Sequence, residues 1–316
     1  MNNIGNRPTA GCILSLHALT GVHWGAGASI GTIDSPIQRE RHTQWPCGPG
    51  SALKGVLRDA CRESILVGND RKQADNDERV RQLFGAAKGA DEESAGALSV
   101  TDVRLLAFPV RSLVGVFAWI TCPAVLERLR RDLKLAGVED LPNEGIAATG
   151  QDVIVPKDCP LIVADKYLQL DDETLTVTTG DASLLSARIA EICLPGEEDY
   201  QATRTRFGRH LVVVSDDVFQ HFTKYATEVV ARIGLNYETK TVRTGALFYQ
   251  ELLPAESLMY SVAILSASRN REASKSGPAL LESLRELLND TKVLQVGGGE
   301  TTGKGYCSIH FHSQGI

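Results

Sequence analysis

The stretch CILSLHALT, Cys12 to Thr20, decides more about the fold of this chain than any other segment. Apolar side chains at its even positions up to Ala18 alternate with the side chains at its odd positions, and this period of two is typical of a β-strand. The next segment, Gly21 to Gly50, holds six glycines and three prolines, so we expect no regular element of any length in it. Because structureless segments of this length in compact domains are usually functional, this loop is the first candidate site.

Composition places the chain among globular proteins and outside the membrane and disordered classes. Its 316 residues are 43% hydrophobic and 23% charged, with a mean hydropathy of −0.10. No apolar run reaches the roughly 18 residues that a membrane span needs, and the polar start shows no secretory signal, so we expect a cytoplasmic protein. The seven cysteines are scattered singly without zinc-ligand spacing, which predicts reduced thiols.

Hydrophobic periodicity and the positions of proline and glycine predict the remaining elements. The predicted helices are 51–66, 123–137, 216–233 and 279–288, and Ser51 is the predicted N-cap of the first of them. The predicted strands are 110–120, 258–266, 292–296 and 306–312. A polar insertion covers approximately 68–96, with weak helical content around 78–83, and a β-hairpin that could protrude covers approximately 236–256. Residues 138–210 show only mixed short strands and loops. This order predicts one α+β domain over 1–316, a ferredoxin-like sheet with large inserted loops.

A column of cations is predicted on the first helix. Lys54, Arg58 and Arg62 recur every four residues, which stacks them on one helical face. One interpretation is an ordinary solvated face, partly paired with Asp59 and Glu63. The other is a nucleic-acid contact, which must rest on local basic patches because the net charge is −6.

The glycine-rich loop Gly297 to Gly305, GGGETTGKG, is the most distinctive motif. It resembles a Walker A phosphate loop, but Gly305 stands where the magnesium-binding Ser or Thr is required and a strand follows instead of a helix. These departures argue against an NTPase. Its backbone can still approach an anion closely, and Lys304 adds a positive charge, so a nucleic-acid phosphodiester suits the loop. The alternative is a flexible glycine turn without a ligand.

The long loop after the first strand concentrates His23, Asp34 and Arg39 in a glycine-rich backbone. Phosphodiester chemistry uses such a set: a carboxylate that accepts a proton or holds a divalent cation, an imidazole that exchanges protons, and cations that hold phosphate. Each residue also has a structural interpretation, with Asp34 as the first residue of an Asx-turn before Ser35-Pro36 and His23 as a satisfied structural histidine.

Several motifs together carry a resemblance to a known family. These are IDSPIQRERHT at 33–43, PGSALKG at 49–55, VRSL at 110–113, TGALFY at 244–249 with Leu253-Pro254, and the terminal glycine-rich loop. They resemble the RAMP superfamily of CRISPR-associated proteins, and within it the backbone subunits (the fourth Cmr subunit) of type III-B RNA-guided complexes. The glycine motifs are shared by many RAMP proteins, whereas the DSPIQRERHT string is specific.

The resemblance implies a modified RRM-like palm, a thumb formed by the protruding hairpin, and copies stacked head-to-tail along a guide RNA together with other Cmr subunits. It also implies metal-dependent cleavage of a bound target RNA by its own 2′-OH, with Mg²⁺ or Mn²⁺. Asp34 is then the catalytic residue and metal ligand, and His23 and Glu251 assist. The implied RNA-binding residues are Arg39, Arg41, Lys54, Arg58, Gly297, Gly298, Gly299, Thr301, Thr302, Gly303, Lys304 and Gly305.

Two other functions remain open at this point. The first is a subunit that only binds and protects guide RNA while another subunit cuts. The second is the corresponding subunit of the type III-A (Csm) complex, which shares a glycine loop and an aspartate loop but against which the longer DSPIQRERHT string weighs.

Overall fold

The computed structural model describes residues 2–4, 7–27, 31–66, 70–86, 95–268 and 275–314. The strands are β1 Asn2–Ile4, β2 Arg7–Ala18, β3 Cys47–Gly48, β4 Leu98–Val100, β5 Val103–Arg111, β6 Phe117–Thr121, β7 Asp152–Val153, β8 Tyr167–Leu170, β9 Glu173–Val177, β10 Leu211–Val213, β11 Glu228–Leu235, β12 Val242–Leu252, β13 Leu258–Ser266, β14 Val293–Gln295 and β15 Tyr306–His312. The helices are α1 Gly50–Glu63, α2 Arg71–Asn76, α3 Glu78–Phe84, α4 Pro123–Ala136, α5 Ser183–Cys193, α6 Gln201–His210, α7 Asp216–Tyr225 and α8 Gly277–Leu287.

A large mixed sheet organises the chain, in the order β10-β6-β5-β13-β2-β15-β14. Within it, β2, α1, β5, β13, α8 and β15 follow one another in the order strand, helix, strand, strand, helix, strand. The four strands of this set lie side by side as β5-β13-β2-β15, and every neighbouring pair is antiparallel. This is the arrangement of a ferredoxin-like unit, so the predicted α+β fold is confirmed. The remaining elements are inserted between its strands.

The predicted first strand is the central strand β2, and helices cover both of its faces. Every side chain from Cys12 to Ala18 is buried. Ser15 Oγ donates to the carbonyl of Cys193 in α5 at 2.7 Å, and a Cβ added at Gly11 would lie 2.8 Å from the backbone of Ala136 in α4. Helix α8 also packs against β2 and β13, and α3 joins it to α1. Burial on both faces explains why β2 is apolar at most of its positions.

One prediction is wrong in its second half. The helix predicted over 216–233 ends at Tyr225, and Glu228–Leu235 forms strand β11. Periodicity continued through this segment, but its β-branched side chains favour a strand, and β12 supplies the antiparallel partner. The hairpin is therefore formed by β11 and β12, and it begins eight residues before the predicted start at 236.

Other boundaries also differ from the predictions. The strand predicted over 110–120 is two strands, β5 and β6, which meet in an antiparallel hairpin. Residues 138–210 contain the helices α5 and α6, which the sequence did not reveal. Helix α1 begins at Gly50 after Pro49, so Ser51 is not its N-cap. The insertion near 68–96 includes the helices α2 and α3, and its residues 68–69 and 87–94 lie outside the described part.

The β11–β12 hairpin forms a two-stranded sheet that is separate from the main sheet. Side chains along both strands are exposed or half-buried as far as Gln250, whereas Glu251 and Leu252 at the base are buried. The apolar side chains Val229, Ile233, Leu247 and Tyr249 are all more than 40% exposed. The hairpin therefore projects from the palm, and only its base is packed into it.

Two further features are the apolarity of the helices and the state of the cysteine thiols. No helix in the described residues is long and apolar enough to cross a membrane. All seven cysteines are free thiols, six of them buried, and burial raises the pKa of Cys12 to about 12. Buried, protonated thiols of this kind are unreactive, so a structural role is expected for them.

We expect acid to destabilise this fold through His310 on β15. Burial lowers the pKa of His310 from 6.5 to about 4, and the neighbouring His312, Arg204 and Arg285 act in the same direction, opposed by Glu197. Since the folded protein binds this proton less tightly than the unfolded chain, the stability that neutral His310 contributes is complete above pH 6.5. It is lost as the pH falls from 6.5 towards 4.

The thermal midpoint of unfolding of the wild-type protein, followed by circular dichroism, should therefore decrease as the pH falls from 6.5 towards 4. It should drop less steeply in His310→Gln. His42→Gln, at a side chain that is 75% exposed, serves as the control and should retain the wild-type slope. An unchanged slope in His310→Gln would contradict the assignment.

Candidate functional site

Four segments that are distant in sequence meet where the hairpin leaves the palm. The long loop after β2 contributes 22–25 and 33–39, the hairpin contributes its base, and the glycine-rich loop contributes 297–305. Isolated backbone bridges join them: Val22 to Leu253, His23 to Gly298, Gly25 to Ile37 and Ser35 to Gln250. Three of the motifs singled out in the sequence, the loop around Asp34, the hairpin base and the glycine-rich loop, are thus brought to one place.

Asp34 lies at the surface of this site and is attached to the hairpin. Its side chain is exposed, and its Oδ2 accepts a hydrogen bond from the backbone N–H of Tyr249 at 2.7 Å. The next residue continues the attachment, because Ser35 N–H donates to the Tyr249 carbonyl and the Ser35 carbonyl accepts from Glu251 N–H, both at 3.0 Å. The carboxylate is therefore ordered by β12 and still accessible to a ligand.

His23 is buried beside Asp34, and its hydrogen bonds define its tautomer. Nδ1 lies 2.8 Å from the carbonyl oxygen of Glu251, which can only accept, so Nδ1 carries the proton. Nε2 lies 3.2 Å from Ser35 Oγ, and with the proton on Nδ1 it can accept a hydrogen bond from that hydroxyl. Both ring nitrogens have protein partners and the residue is 7% exposed, which matches the structural interpretation of His23. Its catalytic assistance remains a prediction.

Glu251 anchors the loop instead of facing solvent. The residue is 3% exposed, and its Oε1 accepts from Arg39 Nη2 at 2.5 Å and from Thr227 Oγ1 at 2.9 Å. Its Oε2 accepts from the backbone N–H of Ile37 at 3.0 Å. Through these bonds Glu251 holds the loop against the hairpin base, so it is a positioning residue. Its assistance in catalysis remains a prediction.

Arg39, predicted to bind RNA, is largely occupied by the protein. Beyond its ion pair with Glu251, Nη1 donates to the carbonyls of Gln44 and Thr223, both at 2.9 Å. Its side chain is 16% exposed. Arg39 therefore joins the loop, the hairpin base and the end of α7, whereas Arg41 in the following turn is exposed.

The glycine-rich loop is folded tightly against His23. Gly297, Gly299, Gly303 and Gly305 have φ between 72° and 85°, and a Cβ at Gly297 would lie 2.4 Å from the His23 carbonyl oxygen. Gly298 N–H donates to that carbonyl at 2.9 Å, and Gly305 N–H donates to Gly21 O at 3.0 Å. This close backbone approach explains why glycine is required here, and it shows that the loop is a packed turn.

One side of the glycine-rich loop remains available to a ligand. Thr301 and Thr302 are exposed, and in the described part of the chain the ammonium of Lys304 has no acidic partner. Arg232 of β11 reaches the loop, with Nη2 3.5 Å from Thr302 Oγ1 and Nε 3.0 Å from Gln250 Oε1. Lys304 and Arg232 thus form a small basic patch beside Asp34, which fits an anion with a phosphodiester backbone.

The column of cations on α1 forms ion pairs and hydrogen bonds with other residues of the protein. Arg62 and Arg58 both contact Asp75 of α2, and Arg62 also pairs with Asp59. Lys54 Nζ donates to the carbonyl of Leu98 at 2.7 Å. These contacts match the solvated, paired face considered as one interpretation, with Asp75 as a partner that the helical spacing did not reveal.

A divalent metal at Asp34 would rely on few protein ligands. Asp34 offers one exposed carboxylate, and the nearby Glu251 is occupied by protein donors. Mg²⁺ is often held by one or two carboxylates together with waters and substrate phosphates, so Asp34 fits a metal that RNA helps to bind. The three metal-ligating side chains that the described residues do bring together, Asp172, Glu173 and His221, form a separate group that does not include Asp34.

Comparison with known proteins gives this site its context. The family model of the RAMP superfamily matches residues 15–308. The chain is 36% identical to the CRISPR system Cmr endoribonuclease Cmr4 of Pyrococcus furiosus over 94% of both chains. The chain belongs to the RAMP superfamily.

Solved structures agree with this membership. The crystal structure of oligomeric Cmr4 from Pyrococcus furiosus superposes on the RAMP chain with a TM-score of 0.69, at 28% identity, covering 97% of this chain and 99% of the other. The endoribonuclease Csm3 of the Cms system from Enterococcus italicus is 34% identical, but over only 25% of this chain. Similarity over the full length is therefore to Cmr4, and the sequence-based family assignment is confirmed.

Sequence reasoning missed several groups at this RAMP site. The N–H of Tyr249 that holds Asp34 is a backbone donor, which no residue type reveals. Ser35 and Arg232 were not predicted as site residues, because neither a serine in a loop nor an arginine in a predicted helix indicates a functional site by its residue type. The β-branched residues Val229, Val230 and Ile233 around Arg232 were the available clue that this segment is a strand.

Glu251→Ala should destabilise the protein by about 3–5 kcal/mol, since it removes one partner of a buried ion pair and leaves Arg39 unpaired. Urea unfolding followed by tryptophan fluorescence measures the loss. Glu238→Ala, in the exposed hairpin turn, is the matched control and should change the unfolding free energy by less than about 0.5 kcal/mol. Equal effects of the two substitutions would refute the anchoring role.

Proposed function

We propose that this protein is a backbone subunit of a type III-B CRISPR complex that cuts target RNA. The observation that carries the proposal is an exposed Asp34 carboxylate, held by the hairpin base beside a basic glycine-rich loop, in a chain 36% identical to an endoribonuclease of that system over 94% of its length. The subunit binds a guide RNA, and a target strand pairs with that guide. It acts in the cytoplasm.

The proposed reaction is a transesterification within the target RNA that uses the Asp34 carboxylate. The 2′-OH of the target attacks the adjacent phosphorus in line, and the bond to the 5′-oxygen of the next nucleotide breaks. The proton of the 2′-OH passes to Asp34 or to a hydroxide that Asp34 positions, and the leaving oxygen takes up a proton from solvent. One product ends in a 2′,3′-cyclic phosphate and the other begins with a 5′-hydroxyl. The projecting hairpin displaces a target base, which lets the ribose rotate into line.

A divalent cation, Mg²⁺ or Mn²⁺, supplies Lewis-acid charge at the phosphate when bound. Asp34 would be its protein ligand, and phosphate oxygens and water are the further oxygen donors that such a cation would need. Other residues of the chain act around this carboxylate: Tyr249 N–H orients it, and Lys304 and Arg232 neutralise the RNA backbone.

RNA binding rests on a small basic patch, since the whole chain is acidic with a net charge of −6. Lys304, Arg232 and Arg41 are the cations of the site that face solvent or the glycine-rich loop, and backbone N–H groups of the loop add donors. Stacking of copies head-to-tail along the guide, with other Cmr subunits, extends this patch into a continuous groove. A subunit that only binds guide RNA is the second candidate, and the activity of an Asp34 variant separates the two.

Asp34→Ala should abolish cleavage of guide-complementary RNA and leave its binding nearly intact. General-base or metal-holding groups are commonly worth about 10²- to 10⁴-fold in rate, whereas binding comes from base pairing and cations that Asp34 does not supply. The test measures both in the assembled, guide-loaded complex, with end-labelled target RNA and Mg²⁺ or Mn²⁺. Cleavage by the variant at the wild-type rate would establish the binding-only function.

Lys304→Ala should weaken binding of guide RNA. Because one phosphate contact is lost, the slope of the logarithm of the binding constant against the logarithm of the salt concentration should become shallower by about one. Filter-binding titrations at several salt concentrations measure both. Arg58→Ala is the control, because its guanidinium pairs with Asp75 and should leave the salt dependence unchanged. If both variants keep the wild-type slope, the glycine-rich loop does not contact the RNA backbone.

A further inference from the structure

The register of the hairpin decides where the backbone groups of Tyr249 point. Tyr249 lies opposite Ala231, and Gln250 lies opposite Val230. Tyr249 N–H donates to Asp34 Oδ2 and its carbonyl accepts from Ser35 N–H, so neither group is used in pairing with β11. Residues of an antiparallel pair alternate in this respect, so the N–H of Leu247, two residues earlier, also faces away from β11.

Asp34 and Ser35 therefore lie along the edge of β12 that does not pair with β11. Three hydrogen bonds of 2.7 to 3.0 Å join this segment to Tyr249 and Glu251, and Ser35 forms a parallel backbone bridge with Gln250. The Asp34 carboxylate is thus held by a hairpin residue as well as by its own loop. Any displacement of β12 at Tyr249 moves the donor that orients the carboxylate.

The attachment lies at the boundary between the fixed and the projecting part of the hairpin. Glu251 and Leu252 are 3% and 0% exposed, whereas Phe248 and Tyr249 are 43% and 42% exposed. Beyond Tyr249 towards the turn, the two strands pair with each other, and their side chains are exposed or half-buried. A ligand that engages the projecting part acts on β12 directly next to the Asp34 bond.

We propose that the backbone N–H of Tyr249 is a positioning group for Asp34, through which the hairpin couples RNA engagement to cleavage. This inference rests on the proposed function. When the hairpin is seated on the RNA, Tyr249 N–H holds Asp34 Oδ2 towards the scissile ribose. When it is displaced, the carboxylate loses its orienting donor, while Lys304 in the glycine-rich loop, which lies outside the hairpin, remains in place.

The chain offers a matched pair of proline substitutions as a test. Tyr249→Pro removes the N–H that Asp34 uses, keeps the carbonyl that Ser35 uses and takes no hydrogen bond from the β11–β12 pairing. Leu247→Pro makes the same change two residues earlier, at an N–H that faces the same edge and has no acceptor within the described residues. Tyr249→Ala removes the side chain and keeps the N–H.

Cleavage is measured in single turnover with guide-loaded complex in excess over labelled complementary RNA, and binding is measured separately in the absence of divalent cations. We expect Tyr249→Pro to lower the rate constant by about 10- to 100-fold, as for loss of a hydrogen bond to a charged group, with an unchanged dissociation constant. Leu247→Pro should cut within about threefold of the wild-type rate, which is less than the effect expected from the loss of one hydrogen bond to a charged group. Tyr249→Pro should also cut at least about tenfold more slowly than Tyr249→Ala, which keeps the N–H.

Any other outcome contradicts the proposal, and each one indicates a different cause. Equal losses in both proline variants indicate a general effect on the hairpin, and an equal loss in Tyr249→Ala indicates a role of the side chain. A Tyr249→Pro variant that cuts at the wild-type rate removes the positioning role. If Asp34→Ala also cuts normally, the proposed function fails as well, whereas a dead Asp34→Ala with an active Tyr249→Pro rejects this inference alone.

Discussion

Burial of the Glu251 carboxylate beside the Arg39 guanidinium is the interaction on which the arrangement of the site depends. Two charges this far from water are stable only when they pair and when their remaining donors and acceptors are satisfied. Thr227, Ile37, Gln44 and Thr223 provide those partners. Satisfying one ion pair thus fixes the loop, the hairpin base and the end of α7 relative to one another.

This arrangement separates the groups that hold the site from the groups that face a ligand. His23, Arg39 and Glu251 are buried or mostly buried and have protein partners. Asp34 stays exposed, and Lys304 has no acidic partner in the described residues. A carboxylate that contributes little to the core can be specialised for chemistry, because the neighbouring buried network keeps the loop in place.

The position of the site also follows from the ferredoxin-like topology. Strand β2 is central, so the loop that follows it emerges in the middle of the sheet edge, and β15 beside it brings the glycine-rich loop to the same edge. Strand β13 lies on the other side of β2 and is preceded by the hairpin. Three segments that follow or precede neighbouring strands are therefore close in space although they are far apart in sequence.

The sequence by itself determined the central strand, the α+β class, helix α4 with Gly137 as its C-cap, and the motifs that meet at the site. Period, capping and glycine content are local properties, and local properties can be read from local sequence. Tertiary structure decided that 228–235 pairs with β12, although its β-branched residues already favour a strand over the predicted helix. It also decided that Glu251, Arg39, Arg58 and Lys54 serve internal contacts and that a backbone N–H holds Asp34. These outcomes depend on which residues lie opposite each other after folding, and no local pattern contains that information.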